Sequence, residues 1–141
     1  MHFQELSMKV KKITFKTISS TRISDTVTPV GLYIRFRDLY ANTLLLESSD
    51  YHSKEESFTF ICVEPIVTLK ADANKFTYFY KNQEVESREI NRSFYDIFES
   101  YSKTISVDCD ESVKSFNGFY GYISYNSVQY FETINLKAEK A

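Results

Sequence analysis

The chain of 141 residues has no tryptophan, two prolines, two cysteines and three glycines. Cys62 and Cys109 are too few and too far apart for a disulfide framework or a zinc cluster. We therefore expect free thiols and a reducing, cytoplasmic location. No stretch approaches the roughly 18 consecutive apolar residues of a membrane span, and the first residues lack the features of a signal peptide. These absences argue against membrane insertion and export.

The charge balance excludes a strongly basic surface. The formal net charge is -2, charged residues make up 26% and hydrophobic residues 43% of the chain. These values are typical of a soluble globular protein and give no electrostatic footprint for nucleic acid. The length suits one domain over residues 1–141. The sequence also lacks a P-loop, a dinucleotide-binding fingerprint, a Gly-x-Ser-x-Gly elbow and a metalloprotease helix, so little indicates an autonomous enzyme.

Apolar periodicity predicts strands mixed with helices. Near-alternating apolar residues predict a half-buried strand over 8–18. Thr28 and Pro29 predict the N-cap and first residue of a helix that runs to Tyr40, with Leu32, Phe36, Leu39 and Tyr40 on one face.

Further strands and a second helix complete the predicted fold. We expect strands at 43–48 and 57–63, and a peripheral hairpin from 75–80 to an exposed return strand at 84–86. Asn91 is a candidate cap for a helix whose inward face carries Phe94, Ile97, Phe98 and Tyr101. The charged tail over 135–141 should be loosely held. The predicted class is α+β, with largely antiparallel sheets and packed helices.

A polar end to an apolar run marks the candidate site. Thr43-Leu44-Leu45-Leu46 is followed at once by Glu47, Ser48, Ser49 and Asp50. A carboxylate beside a hydroxyl can hold the ammonium group of an amino acid and orient it, and the leucines can supply an apolar wall. A strand that simply ends on a satisfied glutamate is the alternative interpretation from residue types alone.

Four segments together resemble a known family. Residues 28–38, 43–50, 57–65 and 116–125 are similar to the amino-terminal domain of anthranilate synthase component I. The last segment places two of the three glycines among aromatic residues. The resemblance implies a feedback site for L-tryptophan at Leu45, Leu46, Glu47 and Ser48.

The resemblance also implies what surrounds this domain in a full-length enzyme. That enzyme converts chorismate to anthranilate and pyruvate, uses Mg²⁺, and receives ammonia from a glutamine amidotransferase subunit. The chorismate and Mg²⁺ sites lie in a carboxyl-terminal catalytic domain that has no counterpart in these residues. We therefore expect no cofactor, no catalytic residue and no activity in this chain alone. Segment 116–125 normally packs against the catalytic domain, so we also expect self-association.

Three alternatives stay open. The first is the same domain of aminodeoxychorismate synthase component I, which belongs to folate synthesis. The second is a stand-alone, non-catalytic module that binds an amino acid. The third is an interaction domain in which Glu47 is satisfied internally and an exposed sheet edge pairs with another copy.

Overall fold

The structure, a computed structural model, describes residues 10–47, 58–72, 74–90 and 94–132. Within these ranges the fold class is α+β, as the sequence predicts. The strands are β1 (Ile13–Lys16), β2 (Leu44–Glu47), β3 (Thr59–Cys62), β4 (Val67–Asp72), β5 (Lys75–Tyr80), β6 (Gln83–Glu89) and β7 (Ile105–Asp108). The helices are α1 (Pro29–Leu39) and α2 (Phe94–Ser102), followed by 3-10 helices at Glu111–Phe116 and Tyr125–Tyr130.

The core lies between helix α2 and the antiparallel sheet β4–β5–β6. Phe76 and Tyr78 are two residues apart on β5, so they point to the same side of the sheet. Ile97 and Tyr101 are four residues apart on α2 and share one face of the helix. All four side chains are buried. The predicted inward face of the second helix is therefore confirmed for Ile97 and Tyr101.

A charged pair lies on the inner side of this sheet. Arg88 is the cross-strand partner of Phe76, and Glu86 is that of Tyr78, so both side chains point toward α2. Arg88 donates a hydrogen bond to Glu86. The two side chains are only 18% and 12% exposed. The Arg88 guanidinium also lies over the ring of Tyr101, 5.2 Å from its centre, which is within the range of a cation–π contact.

A β-bulge turns the charged pair inward. The register shifts between Tyr78 and Phe79, which pair with Glu86 and Glu84, and this leaves Val85 without a partner. Because successive residues of a strand face opposite sides, a shift by one residue exchanges the two faces. Without the bulge, Glu86 would lie on the outer face of the sheet.

Helix α1 packs against the hairpin β2–β3. It begins where predicted, because the Thr28 hydroxyl accepts a hydrogen bond from the Gly31 N–H at 3.1 Å and Pro29 occupies the first turn. Glycine leaves room for this cap, since a Cβ at Gly31 would lie 3.0 Å from the Thr28 oxygen. The helix ends at Leu39, one residue before Tyr40. Leu39 is 74% exposed, so the prediction that it shares the packed face of the helix with Leu32 and Phe36 is wrong.

The first and last strands form a separate parallel pair. Ile13 in β1 lies opposite Ile105 in β7, and three further residue pairs follow in register. The predicted strand over 8–18 is therefore too long in the described residues, since β1 covers only Ile13–Lys16. The other described sheets are antiparallel, in agreement with the prediction.

The predicted peripheral hairpin is in fact the centre of the fold. β5 is the middle strand of its sheet and carries two fully buried aromatic residues, Phe76 and Tyr78. The lysine at its start and the charged return strand suggested an exposed position, but the inner face is aromatic. The sequence pattern did not predict β4 or β7. The candidate cap Asn91 and the charged tail 135–141 lie outside the described residues.

Candidate functional site

Strand β2 carries the predicted ligand site at the end of the β2–β3 hairpin. The strand starts after a turn in which Asn42 has a positive φ of 58°, and the Thr43 hydroxyl donates to the Tyr40 carbonyl at 2.9 Å. The Asn42 side chain donates to that of Asn82 at 3.1 Å, which ties this turn to the β5–β6 turn. These contacts fix where β2 begins after helix α1.

Leu45 and Glu47 share one face of the hairpin. They are two residues apart on β2, and their cross-strand partners are Ile61 and Thr59. Leu45 and Ile61 are both half-buried, while Glu47 is exposed. Among the described residues Glu47 forms no ion pair. This face therefore places an apolar pair beside an accessible carboxylate.

Leu46 points to the opposite face. Its cross-strand partner is Phe60, and the Phe60 ring centre lies 4.9 Å from that of Tyr120 and 6.5 Å from that of Phe116. The four predicted ligand residues therefore do not line one surface, because a strand alternates its side chains. The structure brings together Leu45 and Glu47, separates Leu46 from them, and does not describe Ser48.

The aromatic residues behind Leu46 hold the hairpin against the segment after β7. Phe58 also contacts Phe116, at 6.1 Å between ring centres. Burial raises the pKa of the Tyr120 hydroxyl, with a smaller contribution from Cys62, and burial also raises the pKa of the Cys62 thiol. A thiol with a raised pKa is a poor nucleophile at neutral pH. The contacts of this cluster are those of packed aromatic rings.

The segment 117–124 carries exposed aromatic residues and two glycines without a local steric role. Neither Gly118 nor Gly121 has a positive φ, and no described atom lies within 4 Å of a Cβ built on either one. A glycine can let another backbone pass close by or adopt a positive φ in a tight turn, but neither use is seen at these two positions within the described part of the chain. Beside them Tyr122 is 86%, Ile123 75% and Tyr125 87% exposed.

Two open clefts lie away from β2. The larger, of about 480 Å³, is lined by Asp72, Asn74, Lys75, Ser87, Arg88 and Glu89. The smaller, of about 290 Å³, is lined by Ala71, Asp72, Ser124, Asn126, Ser127, Gln129 and Tyr130. Neither cleft includes Leu45, Leu46 or Glu47. In the described ranges no three His, Cys, Asp or Glu side chains converge to hold a metal. Nor does any described helix have the length and apolarity to cross a membrane.

The cross-strand partners of Leu45 and Glu47 were not predicted from the sequence. Thr59 and Ile61 flank Glu47 and Leu45 because the hairpin register pairs them. The predicted strand over 57–63 contained both residues, but no short turn in the sequence fixed the register. The period-two alternation within 43–48 was the signal that could have separated Leu46 from Leu45.

Comparison with known proteins gives one distant similarity. Anthranilate synthase component 1 from Bacillus caldotenax is 25% identical to the chain over 123 residues. The match covers 85% of this chain and 24% of that protein, so the chain spans about a quarter of its relative's length. No protein-family model and no solved structure matches the chain. The similarity indicates a distant relationship to that protein.

Proposed function

We propose that the chain is the amino-terminal, tryptophan-binding part of a chorismate-using enzyme of the anthranilate synthase component 1 type. The observation that supports this is the similarity to that protein along 85% of the chain. In the proposed whole enzyme, chorismate is converted to anthranilate and pyruvate, with ammonia supplied by a glutamine amidotransferase subunit. The expected location is the cytoplasm.

The face of the hairpin that carries Glu47 offers the right chemistry for an amino acid. The Glu47 carboxylate is exposed, so it can pair with a ligand ammonium without first losing a partner among the described residues. Leu45 and Ile61 lie beside it and can form one wall for an indole ring. An exposed ion pair contributes only about 0.2–1 kcal/mol, so burial of the indole must supply most of the affinity. Ser48 is proposed to orient the ligand from the next position.

Tryptophan would regulate the enzyme through a second conformational state. A ligand shifts an equilibrium only if it binds one state more tightly than another, and the difference is the coupling free energy between the two sites. Helix α1 and the aromatic cluster of Phe60, Phe116 and Tyr120 both contact the β2–β3 hairpin. We propose that these contacts transmit a displacement of the hairpin at Glu47 to the rest of the enzyme.

The exposed segment 117–124 is the proposed contact with the catalytic part. Glycines that no described atom approaches leave the backbone open to a partner, and the neighbouring aromatic side chains offer apolar surface. The catalytic residues and the Mg²⁺ site would belong to that partner.

The absence of tryptophan from the chain permits a direct binding test. The fluorescence anisotropy of L-tryptophan itself should rise and saturate as the chain is added, because the ligand is then the sole indole in solution. Phenylalanine should compete poorly. An anisotropy that does not rise, or that phenylalanine reverses equally well, would contradict tryptophan recognition.

The two leucines of the motif provide a matched pair of variants. Leu45→Ala removes apolar wall on the Glu47 face and should weaken binding about tenfold, which corresponds to about 1.4 kcal/mol. Leu46→Ala faces Phe60 instead, so it should lower stability and leave the affinity of the folded chain nearly unchanged. If Leu45→Ala and Leu46→Ala weakened binding equally, the pocket would not lie on the Glu47 face of the hairpin.

A further inference from the structure

Strand β6 has two available pairings with β5, and they place different residues in the core. The β5–β6 turn consists of Lys81 and Asn82, whose φ angles of 48° and 62° fit the type I′ turn of a two-residue hairpin. A regular hairpin that continued from this turn would pair Tyr78 with Val85. The observed bulge instead pairs Tyr78 with Glu86 and shifts every later pair by one residue.

The apolar pattern of β6 favours the regular pairing. That pairing would bury Val85 against Tyr78 and would turn the charged side chains of Glu86 and Arg88 to the outer face. In the observed pairing Val85 is 40% exposed, whereas the side chains of Glu86 and Arg88 are only 12% and 18% exposed. Desolvation of a buried ion pair can cost more than the attraction between its charges returns. Hydrophobic burial alone therefore does not explain the register that the sheet adopts.

Charged side chains make the contacts that favour the bulged pairing. Arg88 forms an ion pair with Glu86 and lies over the ring of Tyr101 on α2. In the same register Lys75 lies opposite Glu89, an opposite charge. The regular pairing would place Lys75 opposite Arg88, and like charges across a strand pair are destabilising. These contacts depend on the register, so they discriminate between the two pairings.

We propose that the buried Glu86–Arg88 pair is a register lock, which holds β6 in the bulged pairing against a regular pairing that the same chain can adopt. Loss of the positive charge leaves the Glu86 carboxylate buried without its ion-pair partner, which is strongly unfavourable. A shift of β6 by one residue moves that carboxylate to the outer face and brings Val85 into the core. Because Ser87, Arg88 and Glu89 line the larger cleft, the same shift would reshape it.

NMR on the whole chain measures the register directly. In the original chain, interstrand NOEs should connect the backbone of Thr77 with that of Ser87. Arg88→Gln should replace them with NOEs between Thr77 and Glu86. Arg88→Lys keeps the positive charge and should retain the original pairing. An Arg88→Gln chain that keeps the Thr77–Ser87 pairing, or that unfolds instead of changing register, would overturn the proposal.

A thermodynamic cycle at Val85 tests the same shift through stability. In the original chain Val85→Thr alters an exposed side chain and should change the folding equilibrium constant by less than about twofold. In the Arg88→Gln background it places a hydroxyl in the core opposite Tyr78 and should lower that constant about tenfold.

Val107→Thr is the matched control for this cycle. Val107 is 42% exposed and lies on β7, outside the β4–β5–β6 sheet. Its substitution should have the same small effect with and without Arg88→Gln. Additive effects of Val85→Thr and Arg88→Gln would show that Val85 does not enter the core, and this result would overturn the register lock.

Discussion

The rings of Phe76 and Tyr101 stack with their centres 5.0 Å apart and their planes inclined by 16°. This contact joins the central strand β5 to helix α2, and both side chains are buried. Because β5 and α2 come from separate parts of the chain, the contact fixes how the sheet and helix pack. It is the best single measure of whether the core has formed.

Removal of this contact should be among the most destabilising changes in the chain. Phe76→Ala leaves a cavity beneath Tyr101 and should lower the free energy of unfolding by about 3–5 kcal/mol. Tyr95→Ala, which truncates an exposed aromatic residue of α2, should change it by about 0.5 kcal/mol or less. Chemical denaturation measures both values, and a comparable loss in the two variants would contradict the described core.

The cap of α1 should have a measurable share in stability. Thr28→Ala removes the side-chain acceptor for the Gly31 N–H and should cost about 1 kcal/mol. Thr26→Ala, an exposed site two residues earlier, is the control and should have almost no effect. Thermal unfolding followed by circular dichroism compares the two, and an unchanged Thr28→Ala variant would argue against the cap.

Stability should fall at alkaline pH through the buried tyrosines. The pKa of Tyr101 is raised by burial from 10.0 to about 12 in the folded chain. The protonated hydroxyl is thus favoured by folding, so its contribution is complete below pH about 10 and is lost as the pH rises toward about 12. Denaturation at several pH values should show this loss, and Tyr101→Phe should reduce it. A pH-independent stability over that window would contradict the burial of the hydroxyl.

The exposed aromatic segment should drive self-association. Residues 117–131 contain no charged side chain, so charge repulsion does not oppose contact between copies. Sedimentation equilibrium should show a mass that rises with concentration, and Ile123→Ser should reduce the rise. Ile18→Ser is the matched control, because Ile18 is 89% exposed in another part of the chain. A monodisperse monomer at high concentration would be evidence against this surface.

Local residue patterns in the sequence predicted the start of helix α1 and the buried face of helix α2. Thr28-Pro29 gave the start of α1, and the spacing of Ile97 and Tyr101 gave the inward face of α2. Strand lengths were predicted less well, because β1 ends where its pairing with β7 ends, and pairing over such a distance leaves no local trace. The central position of β5 was missed as well, because β4, its second neighbour in the sheet, was not predicted.

Only part of the candidate site was predicted, because the rest depends on cross-strand pairing. The motif predicted a strand over 43–48, and the described part of that strand is β2, Leu44–Glu47. The motif alone gave neither the register that places Thr59 opposite Glu47 nor the inward turn of Arg88. Both depend on cross-strand pairing, and the second depends on a bulge that shifts the register by a single residue.

The central claim is that the Glu47 face of the β2–β3 hairpin binds tryptophan, and calorimetric titration of the chain with L-tryptophan tests it most directly. Saturable binding should weaken about fivefold in Glu47→Ala, a loss of about 1 kcal/mol, which is the upper end for an exposed ion pair. It should be unchanged in Glu84→Ala, which removes an exposed carboxylate from β6. Phenylalanine should give little heat. No saturable binding, or equal affinity in the original chain and Glu47→Ala, would contradict the claim.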